Sequence, residues 1–434
     1  MNVRGVIILY IVGWCMAQDA ASVTVEVDVA GAADHRADKH ALPRTHALFL
    51  MSYGAPEHDT EYRQWNHPVI EHWDRNVHGN LPRGVSYRPP DDLPSKYYPE
   101  RGVYSSRDKS VLAAQIQDTI EAGVEVLIVP WSISHEDGMA SSTSVITDIS
   151  NRIHVDANVK LLMELAAEAG QKVGFLIEEF RGRDRQKVYD AVSYLTSAYG
   201  GHKSFCPVFY IYDAHLIDMG ASLMLRGSLR RGRFEGFTFI ATVVHKDCLQ
   251  NAVDQGYDGV STFFATDDIA YGSNTSNWEY INNYATSNNI LFIPSISPGY
   301  DDRKIRPWRK SSMSQPRAVP AHGSTEYFYS TRFQSVLELV PFPKALFINS
   351  FNDWIHGTQI EPATPKVIPT IENCDSARRA ERMCKRLQRL LRIDGKYVGY
   401  SESVNEVEKE NTARLYINMT NQFATVFKTQ QGAD

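Results

Sequence analysis

The chain has 434 residues, a formal net charge of −6 and 22% charged residues, a balance with no basic excess for a phosphate backbone, so nucleic acid is excluded as the expected partner. The length admits one large α/β barrel with insertions or two average domains. The aromatic content of 11%, with 7 Trp and 22 Tyr, suits stacking on sugar faces as well as filling a core.

Residues 1–17 place Arg4 before the apolar run Val6–Ala17, with small residues at its end. This is the pattern of a signal peptide, and the run is shorter than the ~20 residues a membrane span needs. No later segment gives a membrane-span signal. Residues 18–44 are polar and aperiodic and are expected to form a disordered lead-in. Cys206, Cys248, Cys374 and Cys384 are too few for a disulfide scaffold, and their pairing stays open. Asn274 and Asn418 open glycosylation sequons, which carry meaning if the signal sends the chain into the secretory pathway, the expected location (Golgi or endoplasmic reticulum lumen, or secreted).

From about His46, apolar runs of strand length recur at 46–53, 124–131, 172–180, 207–213, 238–244, 259–265, 290–296 and 345–350. Helical patterns lie between most of them, at 110–122, 159–169, 186–199, 246–255, 277–287 and 326–339. Eight such units predict a (β/α)8 TIM barrel over residues 45–365, with an open doubly wound sheet as the alternative because pattern alone cannot show closure. The long insertion Gly54–Lys109 after the first strand is polar and rich in proline, and predicts a functional rim. Its His67, His72 and Asp74 are not completed by another ligand cluster, so no metal is expected. Residues 366–434 are read as a C-terminal helical extension, in which the basic stretch 376–393 is expected to dock on the barrel. The absence of a phosphate-cradling glycine loop after the first strand disfavours a nucleotide; no cofactor is expected, and the chain is expected to be monomeric.

Parallel α/β proteins place their chemistry past the carboxyl ends of the strands. The residues there are Tyr53, Trp131, Glu178 with Glu179, Asp213, Asp267 with Asp268 and Tyr271, Tyr300 with Arg306, and the dense cluster Asn352, Asp353, Trp354 and His356. Several strands ending in acids fit glycoside hydrolysis, which uses two carboxyl groups flanking one bond. Asp353 and His356 read equally as caps of a following helix.

Taken together, WNHPVIEHWD (65–74), PPDD (89–92), YYPERGVYSSRD (97–108), YIYDAH (210–215), FFATDDIAYGS (263–273), SISPGYDDRKIRPW (295–308) and SFNDWIHGTQIEPA (350–363) resemble glycoside hydrolase family 99, the glycoprotein endo-α-1,2-mannosidases. The resemblance implies a (β/α)8 barrel, metal-free cleavage inside the glucosylated mannose arm of N-glycans with retention of configuration, and a mannose-containing oligosaccharide or glycoprotein glycan as partner. Glu178, Tyr271, Arg306 and Asn352 match the family pattern, and together with Tyr53, Trp131 and Trp354, nominated by position and side-chain type, they are expected to bind substrate. The family signature N-E-W-H-E-G-T-Q-I-E reads here as Asn352-Asp353-Trp354-Ile355-His356-Gly357-Thr358-Gln359-Ile360-Glu361. By that correspondence both catalytic glutamates are replaced, with Asp353 expected as the base and His356 as the acid. Two functions follow, an altered endo-α-mannosidase or a catalytically silent glycan-binding paralogue.

Overall fold

The computed structural model describes residues 42–431, except 80–83, 133–148, 181–182, 218–233, 265, 268, 310–313, 322–323, 368–395, 398–399 and 401–412. Each apolar run of the sequence becomes a parallel strand, because an uninterrupted run can be buried on both faces. The strands are β1 (Thr45–Leu48), β2 (Val126–Trp131), β3 (Lys172–Ile177), β4 (Phe205–Ile211), β5 (Thr238–Thr242), β6 (Gly259–Ser261), β7 (Leu291–Ile293, resuming at Ser295–Ile296) and β8 (Leu346–Ile348). Neighbours pair in chain order from β1 to β7, and β1 pairs β8 on its other side. The second stretch of β7 then pairs β8, with Phe347 opposite Ser295. The two edges of the sheet are thus one segment interrupted at Pro294, which has no N–H to give to a ladder. Its carbonyl still accepts the Phe347 amide at 2.9 Å, and the ring closes through it. This is the (β/α)8 barrel, and the open-sheet alternative falls.

Helices α1 (Lys109–Glu121), α2 (Ile149–Ala169), α3 (Arg185–Tyr199), α4 (Cys248–Gln255), α5 (Trp278–Ser287) and α6 (Phe328–Leu337) follow the predicted patterns, α2 beginning a good two turns earlier than its pattern. Side-chain caps fix two of the starts: Asp108 accepts from the Ser110 and Val111 amides, and Asp184 from Lys187.

Only part of the C-terminal region is among the described residues. The basic stretch 376–393, with Cys374 and Cys384, lies outside the described residues. The described helix α7 (Leu415–Gln431) takes the place that a barrel's eighth helix occupies. On one side Phe423 stacks on Phe333 of α6, with centroids 4.3 Å apart. On the other, Arg414 pairs with Asp118 at 2.9 Å and Glu121 at 2.5 Å, both on α1. The sequence reading named no helix at 415–431, and more than 60 residues of chain separate it from β8.

The α1–β2 turn makes this packing tight. Gly123 has φ +76°, and a Cβ there would stand 2.8 Å from Ala424 Cβ of α7. Gly123→Ala is therefore expected to cost on the order of 2 kcal/mol, from the left-handed backbone and the clash together. Urea unfolding should show this as a lower midpoint with an unchanged slope; an unaltered midpoint would mean that α7 yields freely.

The insertion after β1 is a folded rim. Tyr98–Pro99 pairs antiparallel with Ala363–Thr364, and the Ile70 amide donates to the Ile305 carbonyl at 2.7 Å. Val69, Tyr87, Ile305 and Ile355 close a small apolar cluster between these loops. Cys206 and Cys248 are buried and unbridged. Asn274 caps a short 3-10 turn through Ser276, and Asn418 is exposed on α7. Among the described residues no helix is long and apolar enough to cross a membrane.

Candidate active site

Past Ile348 the chain turns across the mouth of the barrel, held by its own polar side chains. Asn352 grips the extension of β1: its Oδ1 accepts from the Leu50 amide at 2.7 Å and its Nδ2 donates to the Leu50 carbonyl at 2.9 Å. Tyr53 braces the same turn, its hydroxyl donating to the Asn352 carbonyl at 2.9 Å and accepting from the Trp354 amide at 3.2 Å. Beneath lies Glu361, which accepts from Trp354 Nε1 (2.8 Å), Tyr104 (2.7 Å) and Gln115 (2.7 Å). Burial nonetheless pushes its carboxyl up to about 7, against the lowering by these donors. Gly357, at φ +66°, reverses the chain, and a Cβ there would stand 3.3 Å from the Asp301 amide nitrogen. Arg317 is stacked against Tyr97, Tyr400 and Tyr416, with its guanidinium 4.6 Å from each ring, and donates to the Gly357 and Gln359 carbonyls.

This scaffold holds up a cavity of about 380 Å³ at the carboxyl ends of the strands. Its polar wall includes Glu178, Arg306, Asp353 and His356, and its aromatic wall Tyr212, Phe263, Tyr300 and Trp308. Asp353 Oδ2 meets His356 Nδ1 at 2.8 Å, and the His356 amide donates to Asp353 Oδ1 at 3.2 Å. Arg306 Nη1 approaches His356 Nε2 at 3.4 Å. A guanidinium has only donors to offer, so Nε2 is the accepting nitrogen and Nδ1 carries the proton given to Asp353. Arg306 is aimed by Asp302, which it meets at 2.8 Å together with Arg309 at 2.9 Å. The Tyr300 ring lies along His356, with centroids 5.9 Å apart.

Glu178 is 7% exposed, and its Oε2 is buried without a hydrogen-bond partner. Burial, reinforced by the negative charge of Asp353, pushes its carboxyl up to about 8. At neutral pH the cavity therefore holds an uncharged carboxylic acid, the form that can donate a hydrogen bond or a proton.

Of the nine residues the sequence nominated for chemistry and binding, Glu178, Arg306, Asp353 and His356 line this cavity. The other five do not. Tyr53, Asn352 and Trp354 are the braces described above. Trp131 stacks on Tyr194 at 5.5 Å, outside the barrel, and Tyr271 lies partly buried with its backbone bonded to Val244 and Asn277. Asp267 is engaged by Arg332 at 2.6 Å, Asp213 sits at φ +45° with burial pushing it up to about 6, and Asp268 lies outside the described residues. Of the insertion's histidines, His67 is pushed down to about 4 by burial, and His72 accepts from the Asp74 amide. Glu179, named with Glu178, and Tyr300, named with Arg306, also line the cavity, whereas Tyr212, Phe263 and Trp308 of the aromatic wall went unassigned. Phe263 and Trp308 fall inside quoted motifs, but an apolar ring carries no chemical signature by which a wall differs from a core.

The Glycosyl hydrolase family 99 model matches residues 42–397 of this sequence. The chain belongs to that family. It is 35% identical over 340 residues to the glycoprotein endo-alpha-1,2-mannosidase-like protein of Mus musculus, covering 75% of this chain and 70% of that one. It is likewise 35% identical over 343 residues to the glycoprotein endo-alpha-1,2-mannosidase of Rattus norvegicus, covering 74% and 68%. A family 99 endo-alpha-mannosidase structure from Bacteroides thetaiotaomicron superposes with a TM-score of 0.68 at 27% identity, covering 90% of this chain and 98% of that one. The family's barrel thus extends over nearly the whole chain.

Proposed function

We propose that this chain is an endo-acting hydrolase of α-mannosidic linkages in mannose-containing glycoprotein glycans, working in the secretory pathway, with Asp353 and His356 where the family signature carries two glutamates. The observation that carries the reading is the cavity itself. A carboxylate, a neutral carboxylic acid, an imidazole and a guanidinium converge at the mouth of a family 99 barrel, with aromatic faces for sugar rings. The names of the mouse and rat relatives support the substrate class and the pathway. In this scheme Asp353 takes the proton of the attacking hydroxyl as its oxygen bonds to the anomeric carbon. His356, doubly protonated, gives a proton to the departing glycosidic oxygen as that bond breaks. Arg306 must then leave Nε2 and turn to the glycan.

One observation favours a second reading, a glycan-binding protein without turnover. Retaining glycosidases hold their two groups about 5–5.5 Å apart with the bond between them, whereas Asp353 and His356 touch at 2.8 Å. Incubation with a labelled, glucosylated high-mannose glycan separates the two. Release of a glucose-capped mannose oligosaccharide supports the hydrolase; saturable binding without release supports the binder; neither would dismiss both.

A further inference from the structure

We propose that Trp73 and His72 form an outer sugar-stacking platform, a second binding site on the rim that takes a pyranose ring of a glycan arm extending out of the cavity. Trp73 is 88% exposed, while Trp65, Trp278 and Trp354 are each about 1% exposed or less. A single exposed apolar residue is ordinary, but this one is built into a wall. The indole stacks on His72, with centroids 5.0 Å apart and planes at 28°. His72 in turn is held edge-on by Trp308 at 4.6 Å, and by the Asp74 amide on Nδ1 at 3.0 Å. Trp308 is fixed by its own Nε1, which donates to the Ile70 carbonyl at 3.0 Å.

The three rings therefore run from the cavity wall out to solvent as one chain of contacts, edge-on and then stacked, and Trp73 and His72 line the same cavity as Asp353. The fold gains little from an indole left in water; a ligand would gain a flat face already in place, with little ordering left to lose. Sugar is the occupant by continuity. A glycan seated among Glu178, Arg306 and Asp353 must leave through this mouth, and pyranose faces are apolar on the side that meets an aromatic ring. The proposal requires that a disaccharide seated against the inner residues does not depend on Trp73, whereas a longer glycan does.

The inference rests on the proposed glycan specificity, and the test separates the two. Full-length Asp353→Asn protein, which suppresses turnover, is titrated calorimetrically with α-1,2-mannobiose and with a glucosylated high-mannose oligosaccharide, each with and without Trp73→Ala and Trp73→Phe. The expected result is about tenfold weaker binding of the long glycan to Trp73→Ala, partial retention in Trp73→Phe, and unchanged mannobiose affinity. Equal loss for both glycans would move Trp73 into the inner site, and no loss for either would remove the platform; both overturn the proposal while leaving the glycan specificity standing. If the parent binds neither glycan, both readings fall together. Thermal midpoints of the variants, expected to match the parent because the side chain is exposed, guard against misfolding.

Discussion

Replacing Asp353 by Asn is expected to lower glycan cleavage by about 10²–10⁴-fold, the loss that follows removal of a positioned general base. The amide has nearly the same shape, but it cannot take a proton, and it no longer presents an anion to His356 Nδ1 at 2.8 Å. Binding should change far less, because Glu178, Arg306 and the aromatic wall remain. The rate of oligosaccharide release and the glycan Kd, measured on one preparation, check both halves. A variant that turns over at the parental rate would move the chemistry away from Asp353. The converse replacement, Asp353→Glu with His356→Glu, installs the pair that the resemblance implies for the family signature. It lengthens one carboxylate and removes the contact that now couples the two side chains. Since ~1 Å of misplacement can cost about 10²-fold in rate, a gain of that order is expected. Such a gain should also appear in a parent with no measurable turnover, whereas unchanged or lower release would show that Ile355 and the rest of the loop are tuned to the Asp–His contact.

The barrel was legible because strands buried on both faces need unbroken apolar runs, and all eight were present at strand length. Closure was not legible, since it depends on Pro294 splitting β7 so that its two stretches reach opposite edges of the sheet. Nor was the part played by α7. Its docking onto Phe333 and Asp118 is tertiary, and no local periodicity reports which neighbours a helix will find. In the site, charge and motif singled out Asp353, His356, Glu178 and Arg306, which line one cavity. Asn352 and Trp354 occur in the same signature, yet they point down into the scaffold, because a tight loop needs its own backbone and buried acids satisfied before it can present anything. Sequence proximity to a cavity-lining residue does not separate a contact from a brace.

Glu178→Gln is expected to stabilise the protein at pH 8 and above by on the order of 4 kcal/mol, and to change its stability little at pH 4. In the folded protein the Glu178 carboxyl is raised from its ordinary 4.5 to about 8, first by burial and then by Asp353. Below about 4.5 both folded and unfolded forms hold the proton, and the residue costs nothing through ionisation. Between about 4.5 and 8 the unfolded chain releases it while the fold retains it, so stability falls as pH rises, and the loss levels off once the folded form also ionises. Glutamine is neutral throughout and lacks this dependence. The acid side is governed by groups of the opposite sense. His46 and His67 are both lowered to about 4 by burial, so stability falls as pH drops from about 6.5 toward 4 as the unfolded histidines take up protons. The windows overlap between about 4.5 and 6.5, and Glu361 and Asp213, raised by burial to about 7 and about 6, share the fall toward alkaline pH, so Glu178→Gln should make that limb shallower without abolishing it and leave the acid one unchanged. Denaturant midpoints across pH 4–9 for both proteins test this, and parallel curves would mean that Glu178 ionises freely in the fold. The same variant reads the function of the site. A glutamine can still donate a hydrogen bond to a glycan oxygen, so unchanged turnover marks Glu178 as a binding group. A loss of activity with binding intact shows that its proton itself is transferred.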